Sequence, residues 1–221
     1  YGKRPVPYLQ DLGLLDEATV AAHCIWLDSE ELDLLARFRV KVAHNPESNM
    51  KLGAGVAPVA AMLRRGIDVG LGTDGCASNN NLDLFGEMGM CAKLHKAFSL
   101  DPTVMPAERV VEMATLGGAK VLGMADRIGS IVPGKCADMI LVDMNRPHLT
   151  PLYHPFSQLV YAASGADVST SIIGGRVVMR DRRLLTIDLM EIIRAVRKTS
   201  EEIRRSNHRA AGEKGHVQNH G

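Results

Sequence analysis

Three short apolar runs near the start of the chain each end in a polar cluster, and a helical pattern separates each run from the next. The runs are "ATVAAHCIW" (18–26), "VKVA" (40–43) followed by "HNPESN", and "IDVGL" (67–71) followed by "GTDG". Between the first two, "DSEELDLLARF" carries Asp28 and Glu31 at capping-box spacing and sets Leu32, Leu35 and Phe38 on one helical face. Between the second and third, "PVAAMLRRG" has Pro58 near its start, arginines in its last turn and Gly66 as its stop. Strands alternating with helices in this way predict parallel βα units. His23, His44 and Asp74 follow one another at roughly 20 and 30 residues, near the ~31-residue mean unit of an eightfold barrel. Each would therefore sit at the C-terminal end of a strand, the face where barrel enzymes keep their chemistry. Three units are too few to close a barrel.

The pattern then changes twice. Helices dominate to about Met124, with "LFGEMGMCAKLHKAF" and, after Pro106, "AERVVEMATLGGAKVLG". From Gly129 the chain reads as β, and Gly174-Gly175 is a two-residue hairpin turn. Residues 188–206 return to helix with Leu189, Ile192, Val196 and Ile203 on one stripe, and 207–221 lacks an apolar face and is expected as a disordered tail. The expected division is thus a barrel portion (1–128), a β portion (129–187), a closing helix (188–206) and the tail. A net charge of +1 without a long basic run gives no attraction to nucleic acid or anionic membrane. Four scattered cysteines, with no C-x-x-C pair, argue against a disulfide framework or thiolate zinc site and for a cytoplasmic setting.

The loop "VGLGTDGCASNNNLD" (69–83) contains G-x-G-x-x-G, which admits two readings. A dinucleotide loop needs a helix starting inside the motif and an acid about 20 residues on after a second strand. Here "CASNNN" is a poor helix start that delays the helix to about Leu82, and "CAKLHKAF" reads as helix where the second strand should be. In the other reading Gly70 and Gly72 thin the backbone so that Asp74 turns inward at a strand end, where a carboxylate can hold a divalent metal and exchange protons. Asp74 as a turn or cap, His23 as a satisfied core residue, and His44 with Asn45 as a turn before Pro46 are the structural alternatives. Cys24 and Cys76 read most simply as small buried hydrophobes.

Taken together, "AAHCIWLD", "HNPESNMKLGAGVAPV", "GLGTDGCASNNNLDLFGEM" and "GSIVPGKCADMILVD" resemble, in this order, the amidohydrolase superfamily, and within it the methylthioadenosine/S-adenosylhomocysteine deaminases. "PLYHPFSQLVYAASGADV" (151–168) adds to the second likeness, and the whole runs from about residue 10 to 190. The resemblance implies an α/β fold, the C-terminal part of a (β/α)8 metal-dependent hydrolase barrel with part of a small β-sandwich. It implies one zinc, held in part by Asp74, which also contacts substrate and carries protons. His23 matches a histidine beside the catalytic water, Ser78 a position near the purine pocket, and His44 and Asn45 a motif without a ligand role. The H-x-H and fifth-strand histidine of the family are absent and would lie before Tyr1. The implied substrate is an adenosine-type nucleoside and the implied assembly a possible homo-oligomer. A triazine chlorohydrolase, a guanine deaminase or a non-catalytic half-barrel are the competing expectations.

Overall fold

The computed structural model describes residues 2–216, with side chains through Asn207. Three strands, β1 (Val20–Ala22), β2 (Lys41–His44) and β3 (Val69–Leu71), form a parallel sheet in that order. Ala21 pairs with Val42, and Val42 with Val69. The centre of the sheet is dry, with Val42 wholly buried, whereas Val20 on the open edge of β1 is 46% exposed. The first strand is shorter than expected and is not a buried one. Its pairing stops because His23 and Cys24 both adopt left-handed backbone, φ 65° and 49°, which a ladder cannot continue.

Each strand returns through a helix. Helix α1 (Pro5–Asp11) precedes β1, and α2 (Ser29–Arg37) follows it with the reciprocal Asp28–Glu31 capping box formed in full. Helix α3 (Pro46–Lys51) grows directly from the end of β2, because Pro46 occupies its first turn, where a missing N–H costs nothing. Helix α4 (Val59–Arg64) ends at Gly66 with φ +74°. After β3 a one-turn helix, α5 (Cys76–Asn79), starts at once, ahead of the long α6 (Leu84–Ser99). The long helix thus begins at Leu84, close to the expected start, and the single turn before it was not expected. The Ser78 hydroxyl and the Gly75 N–H both bond the Asp74 carboxylate and tie this turn to the end of β3.

Helix α7 (Ala107–Glu112) continues through a π-turn (Met113–Gly117) into α8 (Gly118–Val121), and this segment packs on β3. The approach is close: a Cβ on Gly70 would lie 2.8 Å from Gly118 Cα. Leu35, Val59, Met62, Val110 and Met113 fill the core between sheet and helices.

A second sheet, β4 (Met139–Val142), β5 (Val168–Ile173), β6 (Arg176–Arg180) and β7 (Arg183–Leu184), is antiparallel in chain order, with α9 (Pro155–Tyr161) set between β4 and β5. Gly174 and Gly175, φ 55° and 77°, turn the β5–β6 hairpin, as two-residue turns of the primed kind require. Helix α10 runs from Leu189 to His216, so the backbone stays helical well into the segment expected to be a disordered tail; residues 217–221 lie outside the described residues. Its apolar stripe, Leu189, Ile192, Val196 and Ile203, is exposed throughout. Among the described residues no helix is long and apolar enough to cross a membrane.

Candidate active site

The C-terminal ends of the three parallel strands lie side by side, and their polar side chains meet there. Asp74, just past β3, and His23, just past β1, both hold left-handed backbone, φ 62° and 65°. Non-glycine residues rarely adopt this conformation, and it gathers at sites where the fold holds a side chain in one place. Gly72 makes the turn possible: a Cβ there would meet Asn45 Nδ2 at 2.9 Å, so the Asn45 side chain lies against bare backbone. The glycine pattern thus serves to place a carboxylate, and no dinucleotide fold is formed around it.

Asp74 is held by three donors. Its Oδ2 accepts from Ser48 Oγ at 2.8 Å and Ser78 Oγ at 2.7 Å, and its Oδ1 accepts from the Gly75 N–H at 2.8 Å. These bonds, Ser78 first, favour the anion and push the carboxyl down to about 2. His23 Nε2 lies 3.9 Å from Asp74 Oδ2, and its Nδ1 lies 2.7 Å from Asn49 Oδ1. Both side chains keep about a third of their surface open, 38% for His23 and 33% for Asp74.

Helix α3 carries the supports. Ser48 and Asn49 are both buried, and they reach the two strand ends on either side of the central strand from which the helix springs. Glu87 on α6, fully buried, fixes the start of this helix: its Oε2 accepts from the Glu47 N–H at 3.1 Å and its Oε1 from Asn79 Nδ2 at 2.8 Å. Burial pushes Glu87 up to about 7 against the opposing pull of those bonds. The sequence reading missed Ser48, Asn49 and Glu87. The available signal was polar residues on buried helical positions straight after Pro46, and an acid in an otherwise apolar helix.

The three residues singled out from the sequence, His23, Asp74 and Ser78, are therefore together. The Ser78 hydroxyl is spent on Asp74 and on the Gly75 carbonyl, so its first duty is to the carboxylate. Cys24 is half-buried, its thiol pushed up to about 11 by burial, whereas Cys76 is exposed and is not a core residue.

Beneath this face lies a second polar group. His44 Nε2 and His95 Nε2 are 3.1 Å apart, and Cys91 completes a buried set whose ligand atoms lie within 4.8 Å of one another. Burial pushes His44 down to about 3, His95 to about 4 and the Cys91 thiol up to about 12. A metal-bound histidine almost always donates its other ring N–H to an acceptor, and His44 Nδ1 has no partner. The set thus fits a neutral imidazole pair beside a protonated thiol.

Asp74 suits a divalent ion far better: it is anionic, oriented and open. It belongs to no group of three ligands among the described residues, so it would supply one ligand of a set that catalytic zinc sites build from three.

A model of the amidohydrolase family matches residues 2–178. The chain belongs to that family. A 5-methylthioadenosine/S-adenosylhomocysteine deaminase of Syntrophobacter fumaroxidans is 58% identical over 204 residues, which are 92% of this chain and 47% of that protein. A 5'-deoxyadenosine deaminase of Methanosarcina mazei is 49% identical over 203 residues, again 92% of this chain and 46% of that one. Among solved structures, an adenosine deaminase from Xanthomonas campestris with bound zinc superposes with a TM-score of 0.90 at 42% identity, covering 92% of this chain and 46% of its own. The chain spans about half the length of the curated relatives it matches.

Proposed function

We propose that the protein carrying this chain removes the 6-amino group of adenosine-type nucleosides, methylthioadenosine and S-adenosylhomocysteine among them, by metal-dependent hydrolysis. One observation carries the reading: the Asp74 carboxylate, held by three donors in a left-handed strand-end turn, stands 3.9 Å from His23 in a family member whose relatives are named as deaminases of such nucleosides. We read residues 1–128 as the last βα units of a (β/α)8 barrel, 129–187 as part of a β-sandwich and the helix Leu189–His216 as a closing helix. Four free cysteines favour a reducing, cytoplasmic setting.

Asp74 would be one ligand of the ion, zinc by the precedent of the Xanthomonas structure. Such an ion supplies Lewis acidity that brings the pKa of a water at the site toward neutrality. Asp74 takes the proton of the attacking water and passes it to the departing ammonia. His23 orients the attacking oxygen through Nε2. The oxygen adds to the purine carbon bearing the amine, the adjacent ring nitrogen gains a proton, the C–N bond breaks as the amine leaves as ammonia, and an inosine-type product with C=O and ring N–H remains. Ser78 acts through Asp74, with the purine side of the pocket beyond it.

The test is ammonia release by the complete protein from methylthioadenosine, S-adenosylhomocysteine, 5'-deoxyadenosine and adenosine, with and without chelator. The expected result is chelator-sensitive ammonia from at least one of them and no chloride from a chlorotriazine. Chloride without ammonia would replace this reading with ring dehalogenation.

A further inference from the structure

We propose that Asn49 is a positioning residue: its Oδ1 accepts a hydrogen bond from the Nδ1–H of His23 and thereby leaves Nε2, the nitrogen facing Asp74, free to accept a hydrogen bond from the attacking water. The inference deepens the deaminase reading and rests on it.

The geometry is specific. Asn49 is 2% exposed, and its amide oxygen lies 2.7 Å from His23 Nδ1. Its Nδ2 has no hydrogen-bond partner, so this buried amide makes one side-chain bond and makes it to His23. The backbone behind it is fixed: the Asn49 N–H donates to the Asn45 carbonyl at 3.0 Å, and the Ala54 N–H donates to the Asn49 carbonyl at 2.9 Å. The next residue back, Ser48, donates to Asp74 Oδ2 from the same turn. Consecutive residues of a helix point about 100° apart at 3.6 residues per turn. A helix springing from the middle strand of three can thus reach the ends of both outer strands at once. Helix α3 does so, holding the imidazole with Asn49 and the carboxylate with Ser48.

The choice of oxygen matters chemically. An acceptor at Nδ1 selects the Nδ1–H tautomer, so Nε2 keeps its lone pair and can accept a hydrogen bond from the attacking water without any movement of Asn49. A donor at Nδ1 would demand the opposite tautomer, with Nε2 already protonated and unable to accept.

The experiment reads the tautomer directly. In the complete, metal-loaded protein labelled with 15N-histidine, with the His23 signals assigned by their loss in His23→Gln, long-range 1H–15N correlations should show a protonated Nδ1 and an unprotonated Nε2. A protonated Nε2 with bare Nδ1 would overturn the proposal. The variant Asn49→Leu should lower kcat on the nucleoside by about 10–100-fold, the range for loss of such a supporting bond, with KM within about twofold and metal content unchanged. An unchanged kcat would also overturn it. Should Asn49→Leu fail to fold, the tautomer of the unsubstituted protein still decides. Absence of ammonia from every nucleoside would count against the deaminase reading, whereas the tautomer is measured without turnover.

Discussion

The end of β2 separates two polar groups that use the same residue types to opposite ends. Above it, Asp74 and His23 are partly open and held by donors that favour charge: two serine hydroxyls and a backbone N–H on the carboxylate. Below it, His44, His95 and Cys91 are buried, and burial keeps all three neutral. Burial thus sets the two histidines at these strand ends apart: His23 keeps 38% of its side-chain surface open, and His44 keeps none. Exposure together with directed donors, rather than residue type, marks the functional group.

The contrast breaks most visibly at Asp74. Asp74→Asn in the complete protein should cut kcat by about 10²–10⁴-fold, the range for a lost proton carrier, and lower retained metal, as measured by ammonia release and elemental analysis. His95→Gln, in the lower group, should leave kcat/KM within about twofold. Equal losses in the two variants would erase the distinction.

Next in size are substitutions at two buried positions that hold the elements together, Glu87 and Gly70. Glu87→Ala leaves the Glu47 N–H and Asn79 Nδ2 without their acceptor in a buried site and should cost about 2–4 kcal/mol in denaturant unfolding. Gly70→Ala drives a Cβ to within 2.8 Å of the Gly118 backbone and should cost about 1–3 kcal/mol, by separating β3 from α8.

The smallest effect is also the sharpest in sign. The folded state keeps a proton on Glu87 up to about pH 7, whereas an unfolded glutamate releases it near 4.5, so this group's stabilisation is lost as pH rises from about 4.5 to 7. His44 and His95 refuse protons that the unfolded chain takes up below about 6.5, so their contribution is lost as pH falls below that value toward about 4 and 3. The two slopes oppose each other between pH 4.5 and 6.5. Glu87→Gln should therefore steepen the acid-side loss of stability, by up to about 1.4 kcal/mol per pH unit for the one proton removed. An unaltered profile would show that Glu87 does not titrate in this window.

Much of this was legible before any coordinates. The capping box of α2, Gly66 after α4, the Gly-Gly hairpin and the strand ends at His23 and Asp74 all rest on local chemistry, which a sequence displays directly. Ser48, Asn49 and Glu87 were not legible, because their roles come from strands and helices meeting across the fold. "HNPESN" reads as a turn until the helix is seen to rise from a central strand. Asn49 also runs against local economy: its Nδ2 is buried and unpaired, a cost of about 1–3 kcal/mol that folding alone would not favour. The length of α10 was missed because its exposed end has no apolar periodicity to betray it.

The central claim is that Asp74 touches a metal ion beside His23. Anomalous diffraction at the zinc edge from the complete, zinc-loaded protein tests it directly. The account predicts a peak about 2.0–2.2 Å from an Asp74 carboxylate oxygen, on the side facing His23 Nε2. A peak bound elsewhere, with the Asp74 carboxylate bonded only to Ser48, Ser78 and Gly75, would contradict it.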